Sequence, residues 1–158
     1  LLWSNPVPRS RVVLEKFGAL AASTSLLGLV LAIELAIASA ATSTNLNLIR
    51  LGEITLSLIL LSLVFGSAAL AFGCIGLGPG MSTGAAVALG VASYFLNSLG
   101  AVIKELEPYR KLSPFYYYIR ADPLINGLNL GDAAVLIVIA VVLLVIAIVT
   151  FQRRDVSV

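Results

Sequence analysis

Glu34 is the residue whose type and setting most strongly suggest chemistry. It interrupts an apolar run, GLVLAIELAIASA, at residues 28–40. A carboxylate near the centre of a bilayer costs about 3 kcal/mol on insertion scales, so such acids often bind substrate or relay protons. A structural alternative is an ion pair with Arg50 across a helical hairpin, because Glu34 would lie only about 9 Å from the turn. The sequence favours the ion pair and leaves a substrate or proton role open.

Few other residues suggest catalysis. Histidine is absent, which removes the commonest general base and metal ligand, and no phosphate-binding G-x-x-x-x-G-K-[ST] motif occurs. The glycine-rich GLGPG at residues 76–80 indicates a helix break. Glu105 and Glu107 indicate a solvated face, and the single Cys74 indicates a small packing residue. We therefore expect a protein that is not an enzyme and that needs no cofactor and no metal.

Composition sets the class of protein. Hydrophobic residues make up 59% of the 158 residues and charged residues only 11%, with a mean hydropathy of +1.05, far from the averages of soluble domains. The run 54–103 contains no Asp, Glu, Lys or Arg at all. The net charge of +2 is too small to indicate nucleic-acid binding. The sequence predicts an integral membrane protein.

Four apolar segments predict an all-α bundle of four transmembrane helices. Each segment is long enough to cross a hydrocarbon core of about 30 Å, and the apolar runs are continuous, unlike the alternating strands of membrane barrels. Both chain ends would then lie on the same side. The positive-inside rule does not choose that side, because Lys and Arg are equally numerous on the two sides. The predicted spans are residues 12–41, 54–75, 81–103 and 133–151, and the longest connection is 104–132.

Small residues recur on several helix faces. Ala133, Ala140 and Ala147 lie seven apart in the last segment, where small side chains would let a neighbouring backbone approach closely. Similar lines occur in the third segment and at the middle of the first. They indicate helix packing, with a substrate path as the alternative. These other lines are Gly84, Ala88 and Ala92, then Ala86 and Gly90, and finally Ser23, Ser25 and Gly28.

The N-terminal stretch 1–16 combines helix-breaking prolines, one tryptophan and several cations. Pro6 and Pro8 end any preceding helix and permit a new start. The interfacial or basic residues around them are Trp3, Arg9, Arg11 and Lys16. The simplest interpretation is an ordinary basic flank at a membrane surface. The functional alternative is a docking surface for a cytoplasmic partner.

Three passages resemble the permease subunits of ABC-2 type ATP-binding-cassette transporters. LLWSNPVPRSRVVLEK, residues 1–16, is similar to the end of that family's coupling helix and the entry to its third membrane helix. SPFYYYIRADPLINGLNLGD, residues 113–132, resembles the segment that leads into its last membrane helix. VTFQRRDV, residues 149–156, resembles its closing tail. The resemblance extends over the whole chain in order, although each motif is short.

The resemblance implies a fold, a location and partners. The four segments would be the third to sixth helices of a permease in the plasma membrane, with both ends cytoplasmic. The connection 104–132 would be extracytoplasmic, with a short interfacial or re-entrant helix before the last span. Its aromatics would lie at headgroup depth. The partners would be a cytoplasmic ATP-binding subunit, a second permease subunit and lipid. The interfacial aromatics are Phe115, Tyr116, Tyr117 and Tyr118.

The chain also departs from that family. The family's first two membrane helices and most of its coupling helix have no counterpart here, so we expect the sequence to begin partway through a longer protein. Two other functions remain open. One is a proton-coupled secondary transporter that uses Glu34, and the other is a non-transporting membrane scaffold.

Overall fold

A computed structural model describes residues 9–42, 47–120, 122 and 125–153, and all its regular structure in these ranges is helical. Trp3, which the sequence predicts to contact a partner, lies outside the described residues. The elements follow one another as α1 (Arg9–Ala41), α2 (Leu48–Ile75), α3 (Pro79–Leu99), a 3-10 helix (Lys104–Leu112), α4 (Pro114–Ile119) and α5 (Leu130–Arg153).

Local capping signals determine where α2 begins and ends. The Asn47 side chain accepts a hydrogen bond from the Ile49 N–H at 2.9 Å, so α2 starts at Leu48 and not at the predicted residue 54. At the other end Gly76 adopts a φ of 110°, a left-handed conformation that favours glycine and ends the helix. Pro79 then opens α3, where its fixed φ suits the first turn.

The central helix of the bundle is α2, which packs against α1, α3 and α5. Leu61 and Val64 of α2 cluster with Leu136 and Ala140 of α5. Further along both helices, α2 meets Ala147. Earlier residues of α2 contact earlier residues of α5, and later residues contact later ones, so the two helices run parallel. The predicted alanine stripe is confirmed, because Ala133, Ala140 and Ala147 are all buried.

Two ends of the bundle can be defined from these contacts. At one, which we name the turn end, Val13 of α1 packs with Cys74 of α2 and with Ala147, and Phe151 lies against them. At the other, the connection end, the N-terminal turns of α2 meet the segment that precedes α5, through a hydrogen bond from the Leu128 N–H to Glu53. The beginning of α1, the α2–α3 turn and the end of α5 therefore share the turn end.

The small residues of α3 and α1 are only partly used for packing. In α3 the buried side chains are Ser82, Ala86, Ser93 and Asn97. The predicted line Gly84, Ala88 and Ala92 is exposed, so that prediction is wrong for packing within this chain. The physical reason is that α3 turns its hydroxyl and amide groups inward and leaves the bulky apolar side chains outside. In α1, Gly28 is buried, whereas Ser23 and Ser25 are exposed.

Apolar side chains cover much of the outer surface. Leu27 is 69% exposed and Val138 is 59% exposed, as expected of helices whose outer faces meet lipid. In the described part of the chain, three helices are long and apolar enough to cross a membrane: Ser10–Ala41, Leu48–Ile75 and Leu130–Arg153. The chain is a multi-pass, all-helical membrane protein.

The connection folds back onto the bundle through α4. The Ser113 hydroxyl donates to the Ser93 carbonyl at 2.7 Å and accepts from the Phe115 N–H at 3.2 Å, so it caps α4 and ties it to α3. The Phe115 ring lies 5.5 Å from that of Phe65 and 5.6 Å from that of Tyr94. Ser93 precedes the end of α3 by six residues, so α4 begins about 9 Å below that end.

Candidate functional site

The cations at the start of α1 have different surroundings. Arg9 is the first residue of α1. Arg11 forms an exposed ion pair one turn along its own helix, with 3.0 Å between its Nε and Oε1 of Glu15. Such pairs contribute only about 0.3–0.5 kcal/mol. Lys16 makes no ion pair with any described residue and lines a cavity at the turn end.

This cavity at the turn end is a candidate binding site. It has a volume of about 560 Å³ and lies between α1, α2 and α3, close to Phe151 of α5. Its walls consist mainly of Val, Leu, Ala and Gly residues. The α2 wall consists of Gly66, Ala69, Leu70, Gly73 and Cys74. The Leu20 side chain of α1 packs against Gly66, whereas Gly73 leaves space, because the nearest side-chain atom to an added Cβ there is Ser82 Oγ at 3.7 Å. A cavity of this size and apolarity suits a small amphipathic or apolar molecule.

The polar groups of the cavity wall are mostly occupied by the protein itself. The Ser82 hydroxyl donates to the carbonyls of Leu77 and Gly78, both at 3.0 Å. The Thr83 hydroxyl donates to the Pro79 carbonyl at 3.0 Å. Lys16 is therefore the polar lining group that makes no hydrogen bond within the described part of the chain, and its ammonium favours a ligand that carries an anionic or accepting group.

Sequence reasoning identified Lys16 but missed the cavity. It predicted that the N-terminal cations contact partners or lipid, whereas in the structure Lys16 lines a cavity. One signal was present: Gly66, Ala69 and Gly73 are three and four residues apart on a helix that is otherwise rich in Leu and Val. Such spacing puts small residues on one face of α2.

The structure does not bring Glu34 and Arg50 together. Arg50 pairs instead with Glu53, with 3.1 Å between Nη1 and Oε2, because both residues belong to the first turns of α2. Glu53 also accepts from the Leu128 N–H at 3.3 Å, which fastens the connection to α2. Glu34 is exposed and forms no ion pair among the described residues.

The four predicted interfacial aromatics are half-buried and differ in their contacts. Phe115 is inserted between α2 and α3, and Tyr117 and Tyr118 pack against the cluster that contains Leu136. Tyr116 contacts two cations, with the Cζ atoms of Arg110 and Arg120 at 5.5 and 5.8 Å from the centre of its ring. Phe115, Tyr117 and Tyr118 therefore anchor α4 to the bundle. Tyr116 instead contacts two guanidinium groups.

No group of three or more His, Cys, Asp or Glu side chains that could hold a metal occurs within residues 9–42, 47–120, 122 and 125–153. The acids of this part of the chain are dispersed, and Glu53 and Asp132 have cationic neighbours. The cavity at the turn end offers mainly apolar contacts to a ligand.

One comparison identifies the family. A family model described as the C-terminal domain of the multidrug efflux system permease Rv1217c matches residues 1–152. No curated protein and no solved structure matches the chain. The match covers nearly the whole sequence, and the helical structure with apolar outer faces agrees with a membrane permease domain. The chain therefore belongs to the family of the C-terminal domain of the multidrug efflux system permease Rv1217c.

Proposed function

We propose that this chain is part of the membrane-spanning permease subunit of an ABC-2 type exporter, which forms part of the substrate pathway and couples to a separate ATPase subunit. The observation that carries the proposal is the match of residues 1–152 to a permease domain. The motifs in residues 1–16, 113–132 and 149–156 resemble those of ABC-2 permeases and support the ABC-2 type as the class of exporter. The second permease subunit and the plasma membrane location belong to the same proposal.

In this proposal α3 is a fourth span. The Cα of Gly73 lies beside Ser82, and that of Gly90 lies beside Phe65, so α3 runs antiparallel along the same stretch of α2 that α5 follows. At 21 residues its length is about 32 Å, enough to cross a hydrocarbon core. Its inward Ser93 and Asn97 and its exposed Phe95 have the polarity expected of a membrane helix.

The connection would then be extracytoplasmic and α4 would be re-entrant. The support is the depth of α4, whose first residue follows a serine bonded to Ser93, below the end of α3. Irregular backbone at membrane depth is tolerated where protein covers it, and Phe115 is covered by Phe65 and Tyr94.

Coupling to the ATPase would act at the turn end. Arg11 and Lys16 lie at the start of α1, and Val13 between them packs directly on α2 and α5. A partner that pushes this segment would shift α1 against α2 and change the width of the cavity. The ATPase can drive this change only if it binds the two conformations with different affinities. The cargo would be small and apolar or amphipathic, of the multidrug efflux kind that the family name indicates.

The test is ATP-dependent efflux from proteoliposomes. These contain the permease together with a P-loop ATPase encoded by an adjacent reading frame. Gly73→Leu places a side chain in the cavity, because a Cβ there meets only Ser82 Oγ at 3.7 Å. We expect about tenfold weaker apparent affinity for lipophilic dyes, equivalent to about 1.4 kcal/mol. Gly84→Leu is the matched control, since nothing lies within 4 Å of its Cβ position. Equal transport by both variants would remove the cavity from the pathway, and absence of ATP-dependent efflux by the unaltered protein would refute the proposal.

A second candidate function is proton-coupled transport through Glu34. The observation that favours it is an exposed carboxylate on an apolar helix without an ion pair among the described residues. The same proteoliposomes separate the two functions. Loss of efflux in Glu34→Gln, together with dependence on a proton gradient and indifference to ATP, would favour the secondary transporter.

A further inference from the structure

We infer that the connection between α3 and α5 carries a binding site for the phosphate of an anionic lipid headgroup, formed by Arg110, Lys111 and Tyr116. These side chains line a cavity of about 350 Å³ together with Glu107 and Pro108. The inference rests on the proposed position of the connection at a membrane surface. It does not depend on transport or on an ATPase.

Arg110 is held in place without a counter-charge. Its stem lies against the backbone of Gly100, where an added Cβ would meet Arg110 Cδ at 3.0 Å, and its Cζ lies 5.5 Å from the centre of the Tyr116 ring. Its Nε is buried and has no hydrogen-bond partner among the described residues. A guanidinium that packing orients in advance, and that no carboxylate neutralises, is suited to bind phosphate oxygens.

The neighbouring charges leave the cavity basic. Lys111 is exposed and forms no ion pair among the described residues. Glu107 also lines the cavity, but neither cation lies within 4.0 Å of its carboxylate oxygens. Arg120, which also contacts the Tyr116 ring, has its own partner, because its Nη1 lies 3.5 Å from Asp132 Oδ1. One acid therefore faces two unpaired cations.

Apolar side chains beside the cavity favour a lipid over free phosphate. Leu112, next to Lys111, is 74% exposed, and Tyr109, next to Arg110, is 54% exposed. Val102, two residues after the Gly100 that Arg110 contacts, is 82% exposed. A molecule that combines a phosphate with hydrocarbon chains would neutralise the cations and cover these side chains at the same time. Inorganic phosphate could neutralise the cations but could not cover the apolar side chains.

The experiment measures lipid retention on the permease in mixed nanodiscs of phosphatidylglycerol and phosphatidylcholine, without ATPase and without ATP. Native mass spectrometry after transfer to detergent reports which lipids stay bound. We expect preferential retention of phosphatidylglycerol, and about tenfold weaker retention in Arg110→Gln and in Lys111→Gln, because each loses a charge-assisted contact to phosphate.

The control is Lys104→Gln, which removes a cation from the same 3-10 helix but does not line the cavity. It should retain lipid like the unaltered protein. Lys111→Gln keeps the test valid even if Arg110→Gln does not fold, since Lys111 is exposed. Equal retention of both lipids, or equal loss in Lys104→Gln and Lys111→Gln, would overturn the inference. Competition by millimolar inorganic phosphate with no lipid preference would also overturn it, in favour of a free anion.

Discussion

Ala147→Leu is expected to cause one of the largest losses of stability that a single substitution can cause in α5. Ala147 is 0% exposed and packs against Val13, Ala71 and Cys74, where three helices meet. A leucine adds three carbon atoms to a contact that depends on close approach of backbones. Overpacking of this kind typically costs about 1–3 kcal/mol. The measurement is the unfolding temperature of the detergent-solubilised permease, followed by size-exclusion chromatography.

The matched control for this prediction is Val145→Leu, two residues away in the same helix. Val145 is 51% exposed, and we expect its replacement to change the unfolding free energy by less than about 0.5 kcal/mol. Similar unfolding temperatures for the two variants would show that the alanine stripe does not form the contact between α2 and α5.

The second large effect is expected for Gly127→Ala. Gly127 has a φ of +83°, and a Cβ at this position would overlap with Arg50 Nη1 and Glu53 Oε2. The substitution would combine left-handed backbone strain, of about 1 kcal/mol or more, with displacement of the side chains that fasten the connection to α2. We expect a total loss of about 1–3 kcal/mol, mainly from the backbone strain because the ends of both side chains can move, and faster proteolytic cleavage of the connection.

Gly52→Ala provides the comparison for the glycine at 127. Gly52 lies in α2 between Arg50 and Glu53, and nothing lies within 4 Å of its Cβ position. An alanine there should be neutral or should stabilise the helix slightly. If both variants unfold and are cleaved alike, the contact between α2 and Gly127 does not hold the connection in place.

Sequence reasoning succeeded where the determinant is local or periodic. The long apolar runs predict the four longest helices, and the seven-residue spacing of Ala133, Ala140 and Ala147 predicts the buried face of α5. The glycines and Pro79 predict the break between α2 and α3. In each case a few neighbouring residues contain the whole signal, because helix periodicity and backbone conformation do not depend on distant parts of the chain.

It failed for one local capping signal and for contacts between groups that are distant in the sequence. The pairing of Arg50 with Glu53 follows from the early start of α2, which the Asn47 cap determines. That capping signal is local, because the Asn47 side chain and the Ile49 N–H are two residues apart. The attachment of α4 to α3 involves the bond from the Ser113 hydroxyl to the Ser93 carbonyl, twenty residues apart, which no periodicity indicates. The cavity beside Lys16 depends on the fit of three helices, so neither its volume nor its position could be read from one segment.

The central claim is a four-span bundle whose turn end faces the cytoplasm and whose connection faces the opposite side. Cysteine labelling tests it most directly. In a Cys74→Ser background, single cysteines would be introduced as Gly78→Cys in the α2–α3 turn, Glu105→Cys in the connection and Gln152→Cys near the end of α5. A membrane-impermeant maleimide is then applied to intact cells and to inverted vesicles. We predict labelling of positions 78 and 152 only from the cytoplasmic side and of position 105 only from outside. Labelling of positions 78 and 105 from the same side would contradict the account, because α3 would then not cross the membrane.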